Sequence, residues 1–385
     1  MKRIIGLWLA VLLILMPCAV RAEKGEGNVI GVESPMAVLM DAATGQVLLQ
    51  VGADAKAPAA SAIKVMTLLV VYDSIAEGRM KMEDSIQVSA NAAKAKGTSA
   101  FLDSGSSYKA EELVKAVSIC SANDAAIALA EALYGSETAF VDAMNQRAKG
   151  LGAKNTVFTT CTGLDDANAH TTAYDLALFA KALSEHKSAT EHTAIYMDQI
   201  THKDGRVTEL TNPNRLVRFY TGCDGYATGS SDSAKYCGVF TAKKGEMRLI
   251  AVTLGAKDSD TRFNDARAMM DYGFSNFTTR VLAKKGEILR KNVEIPGGSP
   301  KYVNLVAKDD IKVVLERGEA SKIKKEIELN GEITAPVEMG QSLGTLYVYT
   351  GEKLIAQTDA IAESTVKRST IWEAVLTILR YWTMG

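Results

Sequence analysis

Residues 60–71 have the sequence Ala-Ser-Ala-Ile-Lys-Val-Met-Thr-Leu-Leu-Val-Val, and this stretch decides the centre of the fold. Its second half is apolar on nearly all sides of a helix, which is typical of a helix buried in the middle of a domain. We therefore predict a buried helix over residues 60–77. Ser61 and Lys64 are three positions apart, so they share a face near the start of that helix.

This Ser61–Lys64 pair is a candidate nucleophile and base. A lysine that burial and positive neighbours keep neutral can accept the proton of an adjacent serine hydroxyl. The dipole at a helix N-terminus also favours negative charge developing on the serine. The S-x-x-K spacing is common by chance, however, and a Ser and a Lys on a protein surface give the same pattern. The spacing alone leaves both interpretations open.

The segments on both sides of the helix predict a sheet covered by helices. Alternating apolar residues and turn signals predict a hairpin at 36–51 and strands at 225–231, 234–243 and 246–255. Helical patterns occupy residues 110–120, 124–134, 137–151, 172–184 and 261–277. This order of elements indicates an α/β or α+β domain.

Two further short motifs follow at wide spacing. The first, Ser121-Ala122-Asn123, lies between two predicted helices, where Ser and Asn are also good N-caps. The second is Thr228-Gly229, inside a predicted strand, where the alternative is an ordinary strand and turn. In the catalytic interpretation, Ser121 relays a proton beside Lys64 and Asn123 binds a substrate amide.

The order S-x-x-K, S-x-N and T-G resembles the serine D-alanyl-D-alanine carboxypeptidases, which are low-molecular-mass penicillin-binding proteins. Longer stretches also resemble the family, and they are 60–67, 121–126, 162–164, 170–176, 214–220 and 234–237. The last two of these resemble the branch found in sporulating Gram-positive bacteria. The resemblance implies a β-lactamase-like domain with helices packed on an antiparallel sheet, followed by a small all-β domain.

The resemblance also implies a role for each site residue. Ser61 attacks the carbonyl between the two terminal D-alanines of a peptidoglycan stem peptide, and Lys64 activates it. The catalytic residues are then Ser61, Lys64 and Ser121, and the substrate-binding residues are Asn123, Thr228, Gly229 and Ser230. The backbone N–H groups of Ser61 and Ser230 form the oxyanion hole. β-Lactams would acylate Ser61, and no metal or cofactor is implied.

The sequence departs from the family at two positions. Ile63 replaces a small hydroxyl residue, which we interpret as a packing change. Ala227 stands where the family carries a positive residue before Thr-Gly, a charge that holds the substrate carboxylate and lowers the pKa of the base lysine. Three hypotheses remain open: a weakened carboxypeptidase, a non-catalytic wall-binding protein, and an acyl-serine enzyme with another substrate.

The ends of the chain predict export and contact with a membrane. Residues 1–22 have the basic start, apolar run and small cleavage-site residues of a signal peptide, although Cys18 raises a lipoprotein alternative. Residues 28–278 form the predicted first domain, and short strands at 279–362 predict a small β-sandwich-like domain. Residues 366–385 predict an amphipathic helix on the membrane surface or, alternatively, a helix packed on its own protein. The expected location is the outer face of the cytoplasmic membrane.

Composition excludes several other classes of protein. The 385 residues have a formal net charge of -1 and no basic stripe, which argues against binding to nucleic acid. Four histidines without an H-E-x-x-H motif argue against a metal site. Cys120, Cys161, Cys223 and Cys237 match no metal pattern, so we expect free thiols. A bridge between Cys223 and Cys237 stays open if they lie on neighbouring strands.

Overall fold

The computed structural model describes residues 29–319 and 322–370, together with Trp372 and Val375. The predicted signal peptide and most of the predicted C-terminal helix therefore lie outside the described residues. Trp372 and Val375 are both helical and partly or largely exposed. No helix of the described ranges is both long enough and apolar enough to cross a membrane.

The first domain is built on a five-stranded sheet with the order β2-β1-β9-β8-β7, and every neighbouring pair is antiparallel. Its strands are β1 (Met36–Asp41), β2 (Val47–Val51), β7 (Cys223–Ser231), β8 (Lys235–Lys244) and β9 (Met247–Ala256). The predicted hairpin and the three later strands are confirmed. Strand β7 is at the edge of the sheet, which leaves one side of it open to the helices beside it.

Both faces of this sheet are buried, which explains why the β1 segment is continuously apolar. Val38 and Met40 belong to a large core with most of the helices, while Ala37 and Leu39 belong to a smaller core under the last helix. Successive side chains of a strand point to opposite faces, so a strand between two helical layers needs apolar residues at every position.

Nine α-helices are described, and they surround the sheet and the 3₁₀ turn Ala60–Ile63. They are α1 (Lys64–Ala76), α2 (Ala90–Ala93), α3 (Ala110–Cys120), α4 (Asn123–Tyr134), α5 (Glu137–Gly150), α6 (Ala173–Leu183), α7 (Lys187–Thr193), α8 (Leu216–Phe219) and α9 (Ser259–Asn276). Helix α1 is buried along most of its length, as its composition predicts. The 3₁₀ turn precedes α1, so Ser61 lies one turn before the helix and not inside it.

Two small two-stranded sheets of the first domain were not predicted. They are β3 (Ser85–Gln87) with β4 (Ser107–Lys109), and β5 (Met197–Thr201) with β6 (Val207–Thr211). Each of these strands has only three to five residues, so the sequence gives a weak strand signal there.

The second domain is all-β, as predicted. Its main sheet has the order β11-β13-β17-β16-β15 and is antiparallel throughout. The strands after α9 are β10 (Phe277–Ala283), β11 (Ile288–Glu294), β12 (Gly298–Ser299), β13 (Tyr302–Ala307), β14 (Ile311–Glu316), β15 (Ile323–Leu329), β16 (Ser342–Thr350), β17 (Lys353–Ala362) and β18 (Lys367–Arg368). Strand β18 pairs with β12, so Lys367 and Arg368 belong to this domain, although we expected a helix from residue 366.

The bridge left open between two cysteines is contradicted by the register of the sheet. Cys223 and Cys237 do lie on neighbouring strands, but Cys223 is opposite Ala242 and Cys237 is opposite Gly229. At about 3.3 Å per residue this offset is far longer than the roughly 7 Å between Cα atoms that a disulfide tolerates. All four cysteines of the described chain are free.

Candidate active site

Ser61 and Lys64 are in direct contact in the structure. The Lys64 ammonium lies 3.1 Å from Ser61 Oγ, and its side chain is almost fully buried at the start of α1. Burial lowers the pKa of Lys64 from 10.5 to about 7, and the nearby Cys161 and Cys120 oppose that shift. The neutral form is therefore well populated near pH 7, which is the form that can accept a proton from serine.

The carbonyl of Thr162 fixes the position of Lys64. Lys64 Nζ donates to Thr162 O at 2.7 Å, and Ser61 Oγ lies 3.5 Å from the same oxygen. The chain can approach this closely because the next residue is Gly163, with φ +77°. A Cβ at Gly163 would lie 2.2 Å from Ala60 O and 2.8 Å from Ile63 Cγ1, so only glycine fits here. Thr162 thus holds Lys64 through its carbonyl, a contact that the sequence analysis missed.

The S-x-N motif lies at the junction of α3 and α4. Ser121 ends α3 in the left-handed conformation, with φ 62°, and its buried hydroxyl has no hydrogen-bond partner among the described protein groups. Asn123 donates through Nδ2 to Lys96 O at 2.6 Å, and its Oδ1 is buried without a protein partner. Neither side chain caps α4, so the alternative interpretation as N-caps is wrong. Ser121 Oγ and Asn123 Oδ1 are therefore two buried polar atoms at this junction that the described protein groups leave without a partner.

Strand β7 forms the opposite wall of the site. A Cβ at Gly229 would lie 2.5 Å from the Ser61 amide nitrogen and 3.1 Å from Ala59 O, so the strand backbone packs directly on the turn that contains Ser61. Thr228 is buried beside Gly229, while Ser230 is exposed near the end of the strand. The structure therefore brings the T-G motif to Ser61 across a long stretch of chain.

Arg262 on α9 supports this wall from behind, and the sequence analysis also missed it. Its Nη1 donates to Gly229 O and to Cys237 O, both at 3.1 Å. Burial lowers the pKa of Arg262 to about 10, so it remains charged at neutral pH. It is a buried cation next to the T-G strand.

Three further cationic side chains of this domain are engaged elsewhere or exposed. Arg215 pairs with Asp260 at 2.5 Å, and Arg218 lies over the ring of Tyr196. Lys235 is exposed at the far end of the β7–β8 turn. Ala227 itself is buried in the main core at 9% exposure. Arg262 is thus the buried cation that hydrogen-bonds to the backbone of this strand.

No three His, Cys, Asp or Glu side chains within the described part of the chain are grouped so that they could hold a metal ion. The free thiols have raised pKa values because they are buried: about 11 for Cys120 and about 11 for Cys237. Both sulfurs are therefore neutral at physiological pH.

Comparison with protein families assigns both domains. The D-alanyl-D-alanine carboxypeptidase family matches residues 22–258, and the family described as penicillin-binding protein 5, C-terminal domain, matches residues 277–368. The chain is 36% identical over 373 residues to the D-alanyl-D-alanine carboxypeptidase DacF of Bacillus subtilis (strain 168), covering 96% of each chain. It is 33% identical over 387 residues to DacC of Escherichia coli (strain K12), covering 97% of this chain and 95% of the relative.

Solved structures agree with the two-domain architecture. Penicillin binding protein 5 from Haemophilus influenzae superposes with a TM-score of 0.76 at 27% identity, covering 88% of this chain and 98% of that one. A peptidoglycan synthesis regulatory factor (PBP3) from Streptococcus pneumoniae gives a TM-score of 0.71 at 26% identity, covering 87% and 100%. The likeness thus extends over the peptidase domain and the β domain together.

Proposed function

The chain belongs to the D-alanyl-D-alanine carboxypeptidase family, and on that premise we propose that it removes the terminal D-alanine from peptidoglycan stem peptides. The observation that carries the proposal is the contact between Ser61 and Lys64, whose pKa burial lowers to about 7. A serine held by a neutral amine is an activated nucleophile without any need for histidine.

In the proposed reaction, Ser61 Oγ attacks the carbonyl carbon of the penultimate D-alanine while Lys64 Nζ takes its proton. The tetrahedral intermediate then collapses, the C–N bond breaks, and the leaving amine of D-alanine receives a proton. Ser121 lies at the end of α3 and would relay that proton between Lys64 and the leaving group. Water hydrolyses the acyl-enzyme and regenerates Ser61.

Residues of both walls of the site would orient the substrate. Asn123 would bind the amide that precedes the scissile bond, since its Oδ1 has no protein partner. Thr228 would bond the terminal carboxylate, and the N–H groups of Ser61 and Ser230 would stabilise the oxyanion. The close packing of Gly229 on the Ser61 amide supports this arrangement, because it sets the strand next to that N–H group.

We infer that Ala227 weakens this enzyme without removing its base. Ala cannot supply the charge-assisted contact to the substrate carboxylate, a loss of roughly 1.5–3 kcal/mol. The buried cation Arg262 offsets part of the missing field, as it lies 3.1 Å from Gly229 O. Lys64 does not depend on residue 227 for its low pKa, because burial is the largest cause of that shift.

A second candidate is a non-catalytic protein that binds the wall through the same cleft. The missing charge at Ala227 favours this candidate. The Ser121 hydroxyl also favours it, because this hydroxyl has no protein partner and is therefore not hydrogen-bonded to Lys64, as a proton relay would be. The Ser61–Lys64 contact favours the enzyme, since a protein that only binds has no need of a buried lysine beside a serine. An acyl-serine enzyme with another substrate remains the third hypothesis.

We place the protein outside the cell, at the outer face of the cytoplasmic membrane. The support is the signal-like sequence of residues 1–22, the apolar and basic C-terminal sequence, and the 77% exposure of Trp372. An exposed Trp on an amphipathic helix is suited to the membrane interface. β-Lactams would act as inhibitors by acylating Ser61.

The deciding experiment measures D-alanine release and penicillin labelling together. The mature protein and its Ser61→Ala variant are incubated with a stem pentapeptide ending in D-Ala-D-Ala and, separately, with a fluorescent penicillin. We expect slow D-alanine release and a label that mass spectrometry places on Ser61. The absence of D-alanine release refutes the carboxypeptidase, while a label on Ser61 refutes the non-catalytic protein.

A further inference from the structure

Phe101 is an exposed aromatic residue with a strained backbone, close to the site but outside the proposed machinery. Its φ is +57°, in the left-handed region, where a bulky side chain is an outlier. The residue is 65% exposed to solvent. Glycine adopts this conformation at no steric cost, so a phenylalanine here needs a reason other than local backbone preference.

The strained conformation is held by a fully buried carboxylate. Asp124 Oδ2 accepts from Ser99 Oγ at 2.6 Å and from Leu102 N at 3.0 Å, and Oδ1 accepts from Ala100 N at 3.0 Å. Ser99 Oγ in turn accepts from Phe101 N at 3.0 Å. The residues on both sides of Phe101 are thus fixed to the start of α4, and the ring is directed outward.

The guanidinium group of Arg206 holds the same loop from the other side. Arg206, on the turn between β5 and β6, donates through Nη2 to Phe101 O at 3.0 Å and to Asp103 Oδ1 at 2.8 Å. Both backbone polar groups of Phe101 are therefore bonded, while its side chain is left open to solvent. The fold holds the loop rigid and presents the ring.

The same loop forms the wall of the site that contains Asn123. Asn123 N donates to Thr98 O at 2.8 Å, and Asn123 Nδ2 donates to Lys96 O. A Cβ at Gly97 would lie 2.9 Å from Asn123 Nδ2 and 3.7 Å from Leu164 Cδ2, so the loop reaches both sides of the cleft. A substrate chain that extends beyond the amide bound by Asn123 would run along this wall.

Backbone strain is concentrated around this site. The described residues include five non-glycine residues with positive φ, and among them Ala60 and Ser121 belong to the catalytic segments. Asn292 is the one that lies in the β domain. Strained residues persist where the surrounding structure fixes them, and they cluster at sites of function.

We propose that Phe101 is a binding residue for the part of the stem peptide that precedes the D-Ala-D-Ala end. The ring offers a large, rigid apolar face, and the aliphatic portions of the preceding residues are the chemistry that would pack on it. Phe101 thereby selects long stem peptides over short D-Ala-D-Ala compounds. The inference rests on the proposed function, because it takes the substrate to be a stem peptide.

A binding experiment tests this independently of turnover. Phe101→Ala, Phe101→Gly and Phe101→Tyr are made in a Ser61→Ala background. NMR titration then gives the affinity of each for a stem pentapeptide and for N-acetyl-D-Ala-D-Ala. We expect the ratio of the two affinities to fall about ten-fold in the Ala and Gly variants and to be kept by Tyr, since burying an aromatic face is worth that much. An unchanged ratio, or equal binding of both ligands by the parent, overturns the proposal.

Thermal unfolding separates this role from a structural one. Phe101→Gly relieves the strain and should raise the melting temperature by about 2 °C, whereas Phe101→Ala keeps the strained Cβ and should not. Asn292→Gly is the matched control, since it relieves a remote strained position and should leave the affinity ratio unchanged. A lower melting temperature in both Phe101 variants would mean that the ring is structural and would overturn the proposal. Failure of the proposed function shows separately, as no D-alanine release by the protein that retains Ser61.

Discussion

Replacing Ala227 by lysine should restore the contact to the substrate carboxylate that this chain lacks. A charge-assisted hydrogen bond is worth about 1.5–3 kcal/mol, which corresponds to about ten- to a hundred-fold in kcat/KM. The residue lies on β7, one position before Thr228 and two before Gly229, whose backbone packs on the turn that contains Ser61. We therefore expect Ala227→Lys to accelerate both D-alanine release and acylation by penicillin.

The structure limits how much of this gain can come through the general base. With a pKa of about 7, about half of Lys64 is already neutral at pH 7. A nearby cation lowers that pKa further, but it can raise the neutral fraction by no more than about two-fold at this pH. A gain of ten-fold or more must therefore come from the carboxylate contact.

The assay compares Ala227→Lys with Ala227→Met, which has a similarly long side chain without charge. Each is tested at pH 7 on a D-Ala-D-Ala peptide and on the same peptide with a C-terminal carboxamide, with melting temperature as the check on folding. The gain should occur for Lys only and only with the free carboxylate. Equal gains for Met and Lys, or an undiminished gain on the carboxamide, would refute the reasoning.

Further predictions concern the base and the segments that hold it. Acylation of Ser61 should rise with pH through about 7, because Lys64 must be neutral to act; a stopped-flow profile that is flat between pH 5 and 9 would contradict this. The folded pKa of Lys64 is below its unfolded value, so burial of the charge costs stability most fully below pH 7, and the cost disappears as pH rises towards 10.5. Lys64→Met should therefore gain stability relative to the parent as pH falls from 9 to 6, as measured by urea unfolding. Gly163→Ala should lower stability by more than about 1 kcal/mol and slow acylation, because its Cβ meets Ala60 O; a normal labelling rate would rule out the proposed support of Lys64 by the 162–164 loop. Asp124→Ala should cost at least about 3 kcal/mol, since the donors of Ala100, Leu102 and Ser99 lose their acceptor; chemical denaturation with an unchanged midpoint would contradict it.

Local sequence was sufficient for the main helices and strands and for the contact between Ser61 and Lys64. The apolar stretch of α1 predicted its burial, and the three-residue spacing predicted that Ser61 and Lys64 meet. Both follow from helical periodicity, which depends only on residues a few positions apart. The alternation and turn signals of the strands likewise predicted the sheet and the all-β second domain.

Tertiary structure decided what holds that pair in place. Lys64 binds the carbonyl of Thr162, 98 residues away in sequence, and Arg262 binds the backbone of Gly229, 33 residues away. No local pattern encodes such contacts, because they depend on how helices and strands pack against one another. The same holds for the offset between Cys223 and Cys237, because predicting each strand separately does not give the register between two strands.

The sequence by itself determined that Ser61, Lys64 and Ala227 occupy fixed positions in short motifs, and from these we predict a nucleophile, its base and a missing charge. Only the tertiary structure decided that Lys64 is kept near neutral by burial, and that Phe101 is held outward by Asp124. The physical reason is that burial and backbone strain are properties of the surroundings: desolvation needs the whole core around α1, and a left-handed phenylalanine needs acceptors supplied by a neighbouring helix.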